Sequence, residues 1–84
     1  MLKYVGDFEK LRGHGFIYRD NPNSTGWYNK YYHKELDESE IIITLQTEFK
    51  GEMEICLYDT SDLSEVIETV YDLIKNGLVI KEDN

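Results

Sequence analysis

Residues 41–58 carry the pattern that most restricts how this chain folds. Ile41, Ile43 and Leu45 alternate with other residues, a turn follows around Lys50 and Gly51, and Met53, Ile55 and Leu57 alternate again. A period of two places each trio on one side of a strand. Glu52, Glu54, Cys56 and Tyr58 fall on the other side. The spacing predicts a hairpin of strands at 41–47 and 53–58, apolar on one face and polar on the other. The apolar face then needs a cover.

The next segment supplies one. Leu63, Val66, Ile67, Val70, Leu73 and Ile74 recur at i, i+3, i+4 and i+7 and, with Tyr71, occupy an arc of about 160° on a helical wheel. Thr60 or Ser61 offers an N-cap hydroxyl, Asp62 and Glu65 suit the first turn, and Gly77 suits the position after the last. A helix over 62–76 is expected, packed on the hairpin.

The rest is read by the same rules. Leu2, Val5, Phe8 and Leu11 have helical spacing, and Gly13 and Gly15 end it, which predicts a short N-terminal helix or turn. Residues 16–19 read as a strand. Residues 20–26 hold the only proline and read as a loop, and Asn23-Ser24-Thr25 is taken as turn residues although it fits a glycosylation sequon. Residues 27–36 read as a strand, 36–40 as a polar reversal, 78–80 as a short tail or edge strand, and 81–84 as a fraying end. The expected architecture is α+β: a three- to four-stranded antiparallel sheet with one long C-terminal helix on one face. With 84 residues there is room for one domain, divided as 1–15, 16–58, 61–77 and 78–84. A core this thin leaves little room for a deep pocket.

Composition narrows the function classes. A single cysteine, Cys56, excludes an internal disulfide and suits a reducing compartment. The first residues lack the apolar stretch of a secretory signal, and no apolar run nears the roughly 20 residues of a membrane span. A cytoplasmic location is expected. The net charge is −8, unevenly spread: residues 1–34 hold six bases and three acids, whereas residues 35–84 hold three bases and fourteen acids. Such a chain is unsuited to gripping nucleic-acid phosphate or an anionic membrane and suited to a cationic partner.

Three groupings bear on chemistry. On the helix, Glu65, Glu68 and Asp72 lie opposite the apolar arc with Asp62 at its edge, and Glu35, Asp37, Glu38 and Glu40 crowd the 36–40 reversal. The helix holds one base, Lys75, so its acids lack the i+4 lysines that ordinarily offset them. They form either a solubilising face or a surface for a basic partner. Second, Trp27, Tyr28, Tyr31 and Tyr32 interleave with Lys30, His33 and Lys34. By strand parity Trp27, Tyr31 and His33 share one face, and Tyr28, Tyr32 and Lys34 the other. One set packs inward and the other offers a contact patch or simply cross-strand packing. Third, His14, His33, Cys56 and Asp59 show no metal-ligand spacing, Gly13-His14-Gly15 lacks the features of a phosphate loop, and no nucleophile with its base can be assembled. No metal, cofactor or catalytic residue is expected.

The Leu11…Gly15-Phe16 opening, the Ile/Thr-rich hairpin at 41–58 and the close from Val70 to Val79 together resemble small uncharacterised proteins of phages and prophages of Gram-positive bacteria. Anti-CRISPR inhibitors, which are similar in size and charge, are among them. The resemblance implies an acidic α+β domain that blocks the nucleic-acid-binding surface of a host defence protein, and it assigns no individual residue. The leading expectation is a non-enzymatic protein-binding domain acting through its acidic second part. The alternative is a self-association module that dimerises through the aromatic strand and the C-terminal tail.

Overall fold

A computed structural model describes residues 1–58 and 63–82. It is α+β. Strands β2 (Ile17–Asp20), β3 (Lys30–Glu35), β4 (Ser39–Thr44) and β5 (Met53–Leu57) form an antiparallel sheet in that order. Strand β1 (Leu2–Tyr4) pairs with β6 (Val79–Lys81) in a second, two-stranded sheet, and one helix, α1 (Ser64–Lys75), precedes β6. A single bridge between Lys3 and Glu52 and the bond from the Tyr4 amide to the Gly51 carbonyl join the two sheets.

The alternation at 41–58 works as its pattern dictates. Ile43 stands opposite Met53 and Ile41 opposite Ile55, so these side chains share one face. Ile41 and Ile43 pack with Tyr4, Leu11, Phe16, Tyr32, Leu73, Leu78 and Val79 in the main core, Met53 packs against it, and Ile55 remains exposed. The opposite face is not simply solvated, because Ile42, Thr44 and His33 are buried there. The strand also ends earlier than expected: Thr44 turns its hydroxyl to the Trp27 carbonyl and accepts the Gln46 amide, and Thr47–Phe49 form a 3-10 turn.

The expected short N-terminal helix or turn is present at Phe8–His14, and the expectation is corrected at residues 2–4. Residues 2–4 form a strand because β6 offers them a partner, from 77 positions away in the case of Lys3 and Ile80. Only Phe8–His14 coil, as a 3-10 turn capped by Asp7, whose carboxylate accepts the Glu9 amide. The apolar spacing still marks burial correctly at Leu11, which is fully enclosed. Residues 26–28 likewise form a 3-10 turn, so the strand begins at Lys30 rather than at residue 27.

Helix α1 begins at Ser64, and its expected capping residues 60–61, with Asp62, lie outside the described residues. Its C-terminus closes as expected. Gly77 takes φ +72°, its amide bonds the Ile74 carbonyl, and the Leu78 amide bonds the Leu73 carbonyl. Leu73 and Leu78 then meet in the core, the hydrophobic contact that accompanies this cap. The apolar arc, however, is wider than the core it covers. Val66 and Leu73 are buried, whereas Ile67, Tyr71 and Ile74 face outward. Among the described residues, no helix is long and apolar enough to cross a membrane.

Candidate functional site

The acids singled out on the sequence separate into three environments. Asp37 and Glu38 sit at the tip of the β3–β4 reversal, which is closed by the Leu36 amide bonding the Ser39 carbonyl. Helix α1 starts beside this tip. Asp37, Glu38, Ser39, Ser64 and Glu65 line one cleft of about 260 Å³. The Glu65 carboxylate accepts the Asp37 amide at 3.1 Å, which fixes the helix start against the reversal. Glu68 points outward one turn further on, with no partner among the described residues.

Asp72 is engaged elsewhere. Its Oδ2 lies 2.8 Å from His14 Nδ1, and its Oδ1 and backbone carbonyl accept the Asn76 side-chain amide. Two of the three helix acids therefore hold the fold together as well as facing solvent. Glu40 leaves the group altogether. Alternation along β4 turns its side chain to the far face of the sheet, away from the helix.

That far face carries a polar network which the sequence patterns did not reveal. His33 is buried, and its Nδ1 lies 2.6 Å from Glu40 Oε2. Arg19 Nε donates to His33 Nε2 at 3.0 Å. A guanidinium can only donate, so Nε2 is the accepting nitrogen and the ring proton sits on Nδ1, directed at Glu40. Tyr58 donates to the other Glu40 oxygen at 3.2 Å. Beside this chain, Glu54 Oε1 receives the Tyr28 hydroxyl at 2.7 Å and the Cys56 thiol at 3.2 Å. The hydrogen bond to Glu54 pushes the Tyr28 phenol up to about 12, because the anion would lose that bond and face a carboxylate. Burial, then the same carboxylate, pushes the Cys56 thiol up to about 11. A thiol so raised is a poor nucleophile at neutral pH.

His33, Glu35 and Glu40 bring three ligand-type atoms within 4.8 Å of one another. The hydrogen bonding opposes ligation there. Nδ1, the nitrogen that faces the Glu40 carboxylate, carries the proton, and Arg19 places a cationic group on the opposite nitrogen. The network is a set of satisfied cross-strand bonds.

The aromatic run is split by the 3-10 turn. Strand parity from residue 27 fails once residues 26–28 coil, and Tyr28 joins Tyr31 rather than Tyr32. Trp27, Tyr28, Tyr31 and His33 form a ladder of edge contacts across the far face, with centroids 5.4, 6.2 and 5.8 Å apart. Tyr32 is buried in the main core against Tyr18. Of the four aromatics, only Tyr28 is largely exposed. Because β3 is an inner strand, both its edges are already bonded.

Among known proteins, no family model matches this chain, and no curated protein or solved structure is significantly similar to it.

Proposed function

We propose that this protein is a non-enzymatic binding domain that engages a basic surface on a protein partner. The observation that carries this reading is the convergence of Asp37, Glu38 and Glu65 on one cleft, contributed by the reversal and the helix start. Carboxylates held in a cleft with two serines suit a guanidinium or ammonium group, which forms its strongest hydrogen bonds to charged acceptors. Glu68, on the same flank, extends the negative surface. The excess of acids beyond residue 34 raises the local potential and speeds encounter with a cationic surface.

The resemblance to phage proteins points to the partner's class, a host protein whose basic surface ordinarily binds nucleic acid. In this reading the acidic flank takes the place of phosphates, and the domain itself contacts neither nucleic acid nor membrane. The far-face network supports a non-catalytic role, since each of its strongest donors is committed to an acceptor within the fold.

The test is affinity capture from a bacterial lysate at low and high salt, comparing the wild type with D37K/E38K/E68K. These three side chains can be reversed without removing a hydrogen bond that holds α1 in place. The expected outcome is a captured protein that is lost with the variant and released by salt. A partner held equally by the variant, or indifferent to salt, rules the proposal out.

A further inference from the structure

On the flank of α1 opposite its acids, Ile67, Tyr71 and Ile74 form an exposed row. With Val66, Val70 and Ile55 of β5 they line an open groove of about 360 Å³, within the roughly 300–1,000 Å³ of ordinary ligand sites. All six lining side chains are aliphatic or aromatic. Ile67 and Tyr71 are each 64% exposed, and Ile55, on the strand side of the groove, is 37% exposed.

The strand beside this groove has unused backbone. Between β4 and β5 the Tyr58 amide bonds the Glu38 carbonyl, and the Thr44 amide bonds the Glu52 carbonyl. Bonded pairs in an antiparallel ladder recur every second residue, so Glu54 and Cys56 also bond toward β4, whereas Met53, Ile55 and Leu57 aim their amides and carbonyls outward. Strand β1 takes up the first of these. The Lys3–Glu52 bridge, with the bond from the Tyr4 amide to the Gly51 carbonyl, sets Leu2 opposite Met53. Met1 then turns its own bonds to Glu82, away from β5. Among the described residues, nothing pairs with the outer side of Ile55 or Leu57. No proline, lysine or bulge protects these positions, unlike β2 at the other edge of the four-stranded sheet, which carries Arg19 and Asp20.

We infer that the groove takes an extended peptide segment of a partner protein, added antiparallel to β5 as a further strand at Ile55 and Leu57. A helix laid in the groove fills it but covers two amides and two carbonyls without pairing them. A strand pairs them all, exchanging both bonds with Ile55 and both with Leu57. It lies about 4.8 Å outside β5, in line with β1, and continues the sheet past the point where β1 stops. The side chains opposite Ile55 and Leu57 share their face and point toward α1. The one opposite Ile55 enters the groove against Ile67, Tyr71 and Ile74, so an apolar residue suits it. The side chain between the two points to the far face, opposite Cys56 and diagonal to Glu54, a reach that a long side chain spans. A lysine or arginine there meets the Glu54 carboxylate. The segment recognised is therefore apolar, basic, apolar, and the net charge of −8 favours its approach. The acidic cleft, with Glu65, lies on the other flank of α1, so this contact does not rest on it.

The probe is a capped pentapeptide alternating lysine and isoleucine, titrated into the full chain while amide signals and their hydrogen exchange are followed by NMR. The amides of Ile55 and Leu57 are expected to shift together and to exchange about tenfold more slowly at saturation, with a dissociation constant below about 1 mM. The same peptide N-methylated at both isoleucines has lost the donors that face β5, and should bind about tenfold more weakly or not at all. I67S/Y71S removes the groove wall and should weaken the wild-type peptide about tenfold. Both side chains are exposed, so a matching circular dichroism melt separates loss of binding from loss of fold. D37K/E38K/E68K should still show the protection of Ile55 and Leu57, whereas I67S/Y71S should keep the salt-sensitive partner of the acidic cleft, so the two proposals fail separately. Three results overturn the inference. One is a peptide that leaves these two amides unchanged at about 1 mM, and another is an N-methylated peptide or I67S/Y71S that binds as well as the parent pair. The third is a wild type that sediments as a dimer with both amides already protected, since a second copy then covers the groove.

Discussion

His14 and Asp72, 58 positions apart, are joined by a 2.8 Å contact between Nδ1 and Oδ2. This pair ties the second half of α1 to the N-terminal 3-10 turn. Glu65 does the same for the first half through the Asp37 amide. The helix acids that stand out on the sequence as a free negative stripe are thus partly internal fastenings.

Reversing them has a structural consequence. E65K/D72K should melt at lower temperature than D37K/E38K/E68K, although its three-charge counterpart changes more charge. Exposed contacts of this kind are worth about 0.5–1 kcal/mol each, so the deficit should be about 1–2 kcal/mol in urea unfolding. Equal stability of the two variants contradicts the fastening role.

His33 is expected to be held in the tautomer protonated at Nδ1. A long-range proton–nitrogen spectrum of the imidazole reads this directly. H33L should cost about 2 kcal/mol, because Glu40 loses a short bond in a half-buried position and Arg19 loses its acceptor. R19A should leave both the Glu40 contact and the tautomer in place, because a carboxylate only accepts and still requires the Nδ1 proton.

Cys56 should be slow toward alkylating reagents. A thiol pushed up from 9.0 to about 11 holds roughly a hundredfold less thiolate at pH 8 than an unperturbed one. Iodoacetamide labelling of the folded protein, compared with the urea-unfolded chain, measures the ratio. E54Q should recover part of the deficit, and burial, the larger cause, should retain the rest.

Alkaline stability should depend on Tyr28. Its phenol is raised from 10.0 to about 12 in the folded state. The folded protein therefore holds this proton more tightly than the unfolded chain. The contribution is complete below pH 10 and is lost as pH rises toward 12. Melting temperature should fall across that window, and less steeply in Y28F. An identical slope in Y28F contradicts the assignment.

Two glycines should respond very differently to alanine. At Gly77, with φ +72°, an added Cβ meets nothing within 4 Å, so G77A costs only the backbone preference, about 1 kcal/mol. At Gly51, with φ +93°, the Cβ would lie 2.3 Å from the Tyr4 carbonyl oxygen. That oxygen belongs to β1, so G51A must push apart the junction of the two sheets and should cost more than about 2 kcal/mol. Urea unfolding of the two variants orders them.

The sequence by itself determined the elements whose signals are local. Alternation at Ile41, Ile43, Met53 and Ile55 located a hairpin and its apolar face, since a strand repeats every two residues whatever surrounds it. The 3.6-residue repeat and Gly77 located α1 and its end. The excess of acids after residue 34, and the presence of Asp37, Glu38 and Glu65 within it, were also legible. Tertiary structure decided what depends on distant partners. Residues 2–4 became a strand because residues 79–81 arrived beside them. The 3-10 turn at 26–28 moved Tyr28 to the His33 face and left Tyr32 to the core. Which acids converge on one cleft, which are spent on His14 or His33, and which part of the apolar arc stays uncovered follow from packing. A single period in the sequence specifies which side of a helix is apolar, but only the width of the sheet beneath it decides how much of that side is buried.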